Sequence, residues 1–323
     1  MKRTASLISL GCALGILAFA AQAQTFPSKP IRLIVPFPPS SGLDTMGRLV
    51  SQKMSESFGQ PVVVENRAGA NGMIGSEFVA RATPDGYTLS LGTSSTHGSA
   101  PYVIKNLTYD PVKDFTPIAT AVTTVIVVAA ANAFPANSIR EAIDYAKRNP
   151  GKVTYSTSGV GGALHMVAEM FEAQFGVHLV HIPYKGSAPA INAVVAGEVN
   201  LGFNGTSESV RLARAGKLKI LAAAESERYA GLPDVPALAE LLPGYERPPG
   251  WFAFFGPAGM ARPVALRLNE AIVKGLKAPD VASKLEAQGL NVVAGSPEHL
   301  ARLLKRSLEL YGQAAKLAGV KPE

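Results

Sequence analysis

Two stretches of this chain carry the groups best able to hold a small molecule: Phe37-Pro38-Pro39-Ser40-Ser41-Gly42-Leu43-Asp44, and Ser156-Thr157-Ser158-Gly159-Val160-Gly161-Gly162-Ala163-Leu164-His165. Each follows an apolar run long enough for a buried strand and too short for a helix, and each leads into residues at helical intervals. Pro36, Pro38 and Pro39 stop the first run, because none can donate to a sheet ladder. Ser41 stands three residues ahead of Asp44, the capping-box spacing. Asp44 is the one charge between Leu33 and Gly47, and no charge lies between Val153 and Ala168. Such loops offer hydroxyls and the unpaired first amides of a helix, where the dipole is positive, so they suit an anion gripped by neutral donors. Each contact is worth about 0.3–1 kcal/mol at an exposed helix end, and micromolar affinity needs about 8 kcal/mol. Ordinary βα turns share this composition, so both readings stand at this point. Asp44 could meet an amine on the ligand, but capping suits it better, since it would repel a bound anion.

Other chemistries fit less well. His97, in the loop Gly92-Thr93-Ser94-Ser95-Thr96-His97-Gly98 at a strand end, reads equally as a ligand donor or an ordinary loop histidine. His178 and His181 are spaced i, i+3 in a segment that reads as a strand, which puts them on opposite faces. Cys12, the single cysteine, falls in the expected leader, so no zinc site and no metal is expected. Gly159-Val160-Gly161 begins a dinucleotide motif, yet Leu164 stands where the third glycine belongs and no acidic residue follows at the ribose distance. No G-x-S-x-G elbow for a nucleophilic serine occurs. Neither catalysis nor a cofactor is expected. Trp251, Phe252, Phe254 and Phe255 read as core, with one of them a candidate for the pocket wall.

The elements that must position these loops alternate between short strands and amphipathic helices. Strands are predicted at Val62–Glu65, Tyr87–Leu91, Val153–Ser156, Val177–Ile182, Val199–Phe203, Leu218–Ala224, Trp251–Phe255 and Asn291–Val293, with Ile118–Ala131 as one long or two short strands. Helices are predicted after Ser41, from the glycine-rich Asn66–Gly75 turn to near Thr83, after Ser138, over Ala163–Phe175, before Gly197, near Val264–Leu276 and Val281–Gln288, and after Ser296-Pro297-Glu298. The pattern is an open α/β sheet in each of two halves. Ahead of them, Lys2 and Arg3 precede an apolar Leu7–Ala20 and an Ala21-Gln22-Ala23 site, a secretory leader cut after Ala23, and no later stretch is long and apolar enough to span a membrane. Without Lys2 and Arg3 the 31 basic residues fall to 29 against 24 acidic ones. They are scattered rather than striped, so nucleic acid is not an expected partner.

The ordered motifs K-P-I-R-L-I-V-P-F-P-P, V-V-V-E-N-R-A-G-A-N-G-M-I-G, P-D-G-Y-T-L, Y-D-P-V-K-D-F, H-I-P-Y-K-G, A-G-K-L, L-P-D-V-P and G-P-A-G span nearly all of the chain after the leader. In this the chain resembles the substrate-binding proteins of tripartite tricarboxylate transporters, the Bug-type periplasmic receptors. The resemblance implies a type II periplasmic-binding-protein fold, two α/β domains with a ligand cleft between them: residues 24–125 plus 245–323 as domain 1 and 126–244 as domain 2. It implies an organic carboxylate ligand, periplasmic location, delivery to membrane permease subunits and, here, a monomer. Carried over by position, the binding set is Phe37, Pro38, Pro39, Ser40 and Ser41 with Asp44; Thr93, Ser94 and His97; Ser156, Thr157, Ser158, Gly159 and Gly162 with His165; and Tyr184, with Asn204 at the end of its strand. The family usually has two glycines where this chain has Ser40 and Ser41, which adds hydroxyls and removes backbone freedom. Ligands in the family range from citrate and C4-dicarboxylates to aromatic acids such as terephthalate, and Phe37, His97 and Tyr184 would suit a flat ring. The rival expectations are a periplasmic ester or amide hydrolase, and a sensory binding protein that docks on a receptor kinase.

Overall fold

In the computed structural model, which describes residues 26–317 and 319–322, the apolar runs become strands of two separate sheets. The expected leader lies outside the described residues. In chain order the strands are β1 (Ile31–Val35), β2 (Val62–Asn66), β3 (Thr88–Thr93), β4 (Phe115–Thr124), β5 (Ile126–Ala130), β6 (Thr154–Thr157), β7 (Val180–Pro183), β8 (Leu201–Gly205), β9 (Lys219–Ala223), β10 (Gly250–Pro257) and β11 (Leu290–Val292). The principal helices are α1 (Gly42–Phe58), α2 (Met73–Ala80), α3 (Ala100–Val103), α4 (Ile139–Arg148), α5 (Ala163–Phe175), α6 (Ser187–Ala196), α7 (Thr206–Arg214), α8 (Arg262–Leu276), α9 (Pro279–Ala287) and α10 (Pro297–Leu317). The first sheet runs β11-β4-β10-β3-β1-β2 and the second β7-β6-β8-β5-β9. Among the described residues no helix is long and apolar enough to cross a membrane.

Period-two alternation explains how the first sheet is covered on both faces. Ile31, Leu33 and Val35 pack with Leu43, Met46, Val50 and Met54 of α1 and with α8. Ile34, pointing the other way, joins Val79, Trp251, Phe255, Leu300 and Leu304 under α2 and α10. Trp251, wholly buried, gives its indole N–H to Ser307 Oγ at 2.8 Å, as a buried donor must. The second sheet has its own core, around Val128, Tyr155, Phe171, Ile191, Phe203 and Leu221.

The β-branched run from Ile118 resolves into two strands because the chain changes sheets at Val125. β4 ends at Thr124 in the first sheet and β5 begins at Ile126 in the second. The return, between β9 and β10, is irregular apart from a short 3-10 turn at Leu238–Glu240. Arg247 ties the two crossings together. Its guanidinium donates to Ala224 O (2.6 Å), Pro248 O (2.8 Å) and Thr124 O (2.9 Å) and pairs with Glu225, whose carboxylate also accepts the Ile126 amide at 3.1 Å. A second link lies away from the crossings, where Tyr311, Ala314 and Ala315 of α10 pack on Met166 and Met170 of α5 and on Val103. Most expected elements appear within a few residues of their predicted ends. The exceptions are α3 and α7, which the polar, glycine-led stretches before them concealed, and a π-helical turn at Ser94–Ser99 where only a loop was expected.

Arg247→Met should cost about 3–5 kcal/mol by stranding the Glu225 carboxylate at the crossing, and Arg247→Met with Glu225→Gln should recover much of it. Urea unfolding of both variants checks this; equal losses in the two would remove the ion pair as the cause.

Candidate ligand-binding cleft

Strands β1, β3 and β4 run parallel and end on one edge of their sheet, as β6, β7 and β8 do in theirs, so the loops that follow them gather at strand C-termini, the usual ligand edge of an α/β sheet. The two edges meet. Ala163 N donates to Ser95 Oγ at 3.4 Å, Ser99 Oγ to Gly161 O at 3.4 Å and Thr206 Oγ1 to Gly289 O at 3.0 Å. Between them lies a cavity of about 160 Å³. From the first half it is walled by Gly42, Thr124, Phe252 and residues 288–290, and from the second by Ser187, Gly205 and Thr206, with Val125 between. No charged side chain is in its wall, and three helices begin there: α1 at Gly42, α6 at Ser187 and α7 at Thr206.

The caps of these helices matter more than their number. α5, α6 and α7 start behind Gly162, Gly186 and Gly205, none of which can supply a side-chain cap. By contrast α4, placed elsewhere, is capped by Ser138, whose hydroxyl accepts the Glu141 amide. Without a cap, first-turn amides are left for water or a ligand.

The first loop is held from within. Ser41 Oγ accepts the Asp44 amide at 3.2 Å, and Asp44 Oδ2 accepts the Ser40 amide at 2.9 Å and Arg48 Nε at 3.0 Å. Asp44 Oδ1 accepts Asn66 Nδ2 at 2.8 Å, and the same amide reaches Phe37 O at 3.1 Å. Burial alone would raise the Asp44 carboxyl, but the bonds from Arg48, Asn66 and Ser40 outweigh it and hold the group below the usual carboxylate range. Both oxygens are thus engaged by the protein, the geometry of a capping residue. Pro38, Pro39 and Ser40 are exposed beside the half-buried Phe37. Ser40 sits at φ 65°, the left-handed region that favours glycine.

In the second loop Thr93 and Thr96 bond reciprocally, Thr93 N to Thr96 Oγ1 at 2.9 Å and Thr96 N to Thr93 Oγ1 at 3.2 Å, with Ser94 buried beside them. His97 does not face the cleft. It is wholly buried, stacked on Phe255 at 4.2 Å and edge-on to Phe115 at 4.5 Å, with Nδ1 2.9 Å from Thr96 Oγ1. Burial drives its pKa down to about 3, so it stays neutral. Its surroundings are those of a core histidine.

In the third loop Ser156 Oγ is spent on Ala190 O at 2.9 Å, while Ser158 is half-buried. Gly159 at φ 142° and Gly161 at φ 72° bend the chain where a side chain would strain it. His165 is bonded at both nitrogens, Nδ1 to Gly161 N at 3.1 Å and Nε2 to Glu169 at 3.2 Å. Tyr184 turns its hydroxyl to Glu198 at 3.4 Å. Asn204 is 1% exposed, and neither polar atom of its amide has a partner among the described residues. An unpaired buried amide costs about 1–3 kcal/mol unless something satisfies it. His178 and His181 do not converge, and no group of metal-ligating side chains occurs among the described residues.

Sequence reasoning passed over Thr124, Val125, Ser187, Thr206 and 288–290. Gly186-Ser187 carried a usable signal, a glycine and a hydroxyl ahead of an apolar helix; Gly205-Thr206 did not, because the helix that follows it is polar. Residues 288–290 carried none, because β11 reaches the cleft only by pairing with Thr124.

Two α/β domains joined by crossings, with helix starts aimed into the gap, make a type II periplasmic-binding-protein fold. The chain belongs to the tripartite tricarboxylate transporter family receptors, whose profile matches residues 46–319. It is 37% identical over 308 residues to a UPF0065 protein in the tcbD-tcbE intergenic region of Pseudomonas sp. strain P51, covering 93% of this chain and 90% of that one. It is 31% identical to BugT of Bordetella pertussis strain Tohama I, over 99% of both. Among solved structures, a periplasmic transporter is 40% identical with a TM-score of 0.82, over 92% of this chain and 99% of that one. Rpa4515 of R. palustris with adipate is 31% identical at TM-score 0.84 (92% and 100% covered), and MatC of Rhodopseudomonas palustris with bound malate is 31% identical at 0.80 (90% and 100%). Members of this family are solute-binding proteins rather than enzymes, and a periplasmic family implies an exported protein.

A left-handed conformation costs a non-glycine residue about 1–2 kcal/mol. Ser40→Gly should therefore raise the urea midpoint, by up to about 1 kcal/mol once the looser unfolded chain is counted, and Ser40→Val should lower it. A drop on Ser40→Gly would mean that the serine side chain holds the loop.

Proposed function

We propose that this protein captures a short aliphatic di- or tricarboxylate in the cleft, acting as a monomer, and presents it to the membrane permease of a tripartite tricarboxylate-type transporter. Residues 24–125 with 245–323, and 126–244, would be the two domains that close on the acid. The observation that carries the reading is the uncharged cavity of about 160 Å³ on which uncapped helix starts converge. Its size is below the roughly 300–1,000 Å³ of pockets for drug-sized ligands. That two relatives hold adipate and malate supports a carboxylate. A flat aromatic acid is less well served, because His97 lies in the core and Tyr184 faces Glu198. Asn204, next to Gly205 of the cavity wall, would add a buried amide whose donor and acceptor have no partner among the described residues. Closure on the bound acid would signal occupancy to the permease.

The test is thermal unfolding of the purified protein against a panel of short carboxylic acids. A ligand at a hundred times its Kd adds about 2.7 kcal/mol and raises the midpoint by several degrees. Asn204→Leu should leave the ligand-free midpoint unchanged or higher and abolish that rise. A panel without effect, or an undiminished rise in Asn204→Leu, contradicts the reading.

A further inference from the structure

Beneath the 157–162 loop lies a group of titratable side chains that ligand capture does not itself require. His165, on the first turn of α5, stacks on His181 of β7 with ring centres 4.2 Å apart and planes 15° from parallel. His181 in turn stacks on Tyr155 of β6 at 4.8 Å and 19°. The polar edges of this three-ring pile hold the loop at two points. Gly161 N donates to His165 Nδ1 at 3.1 Å, so that nitrogen carries no proton and Nε2–H points at Glu169, which also accepts the Tyr155 hydroxyl at 2.8 Å. His181 Nε2 lies 2.7 Å from Thr157 Oγ1, which also lies 3.1 Å from Gly159 O and accepts the Gly159 amide at 3.3 Å. Whichever of the two carries the proton, the Thr157 hydroxyl and His181 Nε2 share one short hydrogen bond.

We propose that His165 and His181 are positioning residues that lock the 157–162 loop in its binding shape, and that protonation of His165 at Nδ1 unlocks it, weakening the grip on a carboxylate as pH falls. The locking rests on geometry alone; the effect on grip rests on the function proposed above. A proton on Nδ1 puts a donor against the Gly161 N–H and a positive charge on a ring stacked face to face with another histidine. The groups facing His165 are Glu169 and, farther along α5, Glu172, together with His181 from β7 and Tyr155 from β6; His178 stands 3.7 Å from Glu172. Glu169 lies below the ordinary glutamate range, through its bond to His165 first and that to Tyr155, and so stays ionised. A protonated His165 ring would stand 3.2 Å from that carboxylate, which balances the added charge. Burial first, and the neighbouring His165, push His181 down to about 4, so His181 stays neutral well below the usual imidazole range. Acidification therefore releases one of the two hydrogen-bonded attachments and leaves the other.

Nitrogen-15 NMR of the ligand-free protein tests the lock. At neutral pH His165 should show an unprotonated Nδ1, and on acidification the Gly161 amide should shift and lose hydrogen-exchange protection in step with His165 protonation. An Nδ1–H tautomer at neutral pH, or a Gly161 amide indifferent to that titration, overturns the proposal without any ligand. Malate and adipate titrations over about pH 5 to 8 test the grip. With the acid's own ionisation divided out, affinity should fall up to about tenfold per pH unit below the His165 pKa, the slope of one proton. His165→Gln, which keeps an acceptor but cannot titrate, should flatten that profile, whereas His165→Phe should weaken binding at every pH. An unchanged slope in His165→Gln overturns the coupling to binding. If neither acid binds, the proposed ligand class fails, and the NMR result alone decides the lock.

Discussion

An α-helix cannot satisfy its own first amides, and this protein leaves several of them open toward a single gap. Two helices of the second half, α6 and α7, begin behind glycine at the wall of that gap, which holds no charged side chain, while the leading amides of α5 and α7 are already taken by Ser95 Oγ and Val125 O. Water can solvate such donors in an open cleft. Once the halves close and water leaves, an unpaired amide becomes costly, so an acceptor of the right shape and charge is drawn in by what the backbone lacks. A carboxylate, with two oxygens and about four lone-pair sites, meets several donors at once.

Donors of this kind are only as good as their placement, and much of the structure supplies placement rather than contact. In the first half Asp44 spends its charge on Ser40, Arg48 and Asn66, fixing the strand-to-helix corner while keeping its carboxylate from repelling an anion. In the second half His165 and His181 hydrogen-bond Gly161 and Thr157 of the 157–162 loop. At the crossings Arg247 gathers backbone carbonyls of both segments and the Glu225 carboxylate. A buried ion pair of this kind adds little net stability against an apolar alternative, yet it bonds the carbonyl of Thr124 and the amide of Ile126 on either side of Val125, where the chain changes sheets.

The strand-to-helix loops were legible because the signals are local: an apolar run, a proline or glycine stop, then helical spacing, as at Ile31–Val35 and Val153–Ser156. The capping role of Asp44 followed from its spacing to Ser41. His97 illustrates the limit. Its neighbours in sequence are polar, and only tertiary packing against Phe255 and Phe115 decides that it points inward. The same limit hid residues 288–290, placed in the cleft by the pairing of β11 with β4. α7 was hidden for another reason, since its polar first turn imitates the loop before it and too few apolar residues follow to reveal a period. Membership of the family was the easiest inference, resting on the order of many short motifs rather than on any single side chain.

An uncharged grip also bears on selectivity. A lysine or arginine would attract any anion that reached it, inorganic ions included, and would do so over about a Debye length of 8 Å. Helix amides act within one turn and in fixed directions, so discrimination falls to shape: which donors a guest can reach at once without leaving another buried and bare. An acid that leaves one amide unpaired pays about 1–3 kcal/mol for it, roughly five- to a hundredfold in affinity. Relatives with one fold can therefore hold acids as different as adipate and malate by moving a few donors. In this chain Gly42, the first residue of α1, is the part of the first loop that reaches the cavity wall, and Ser40 and Ser41 stand directly ahead of it.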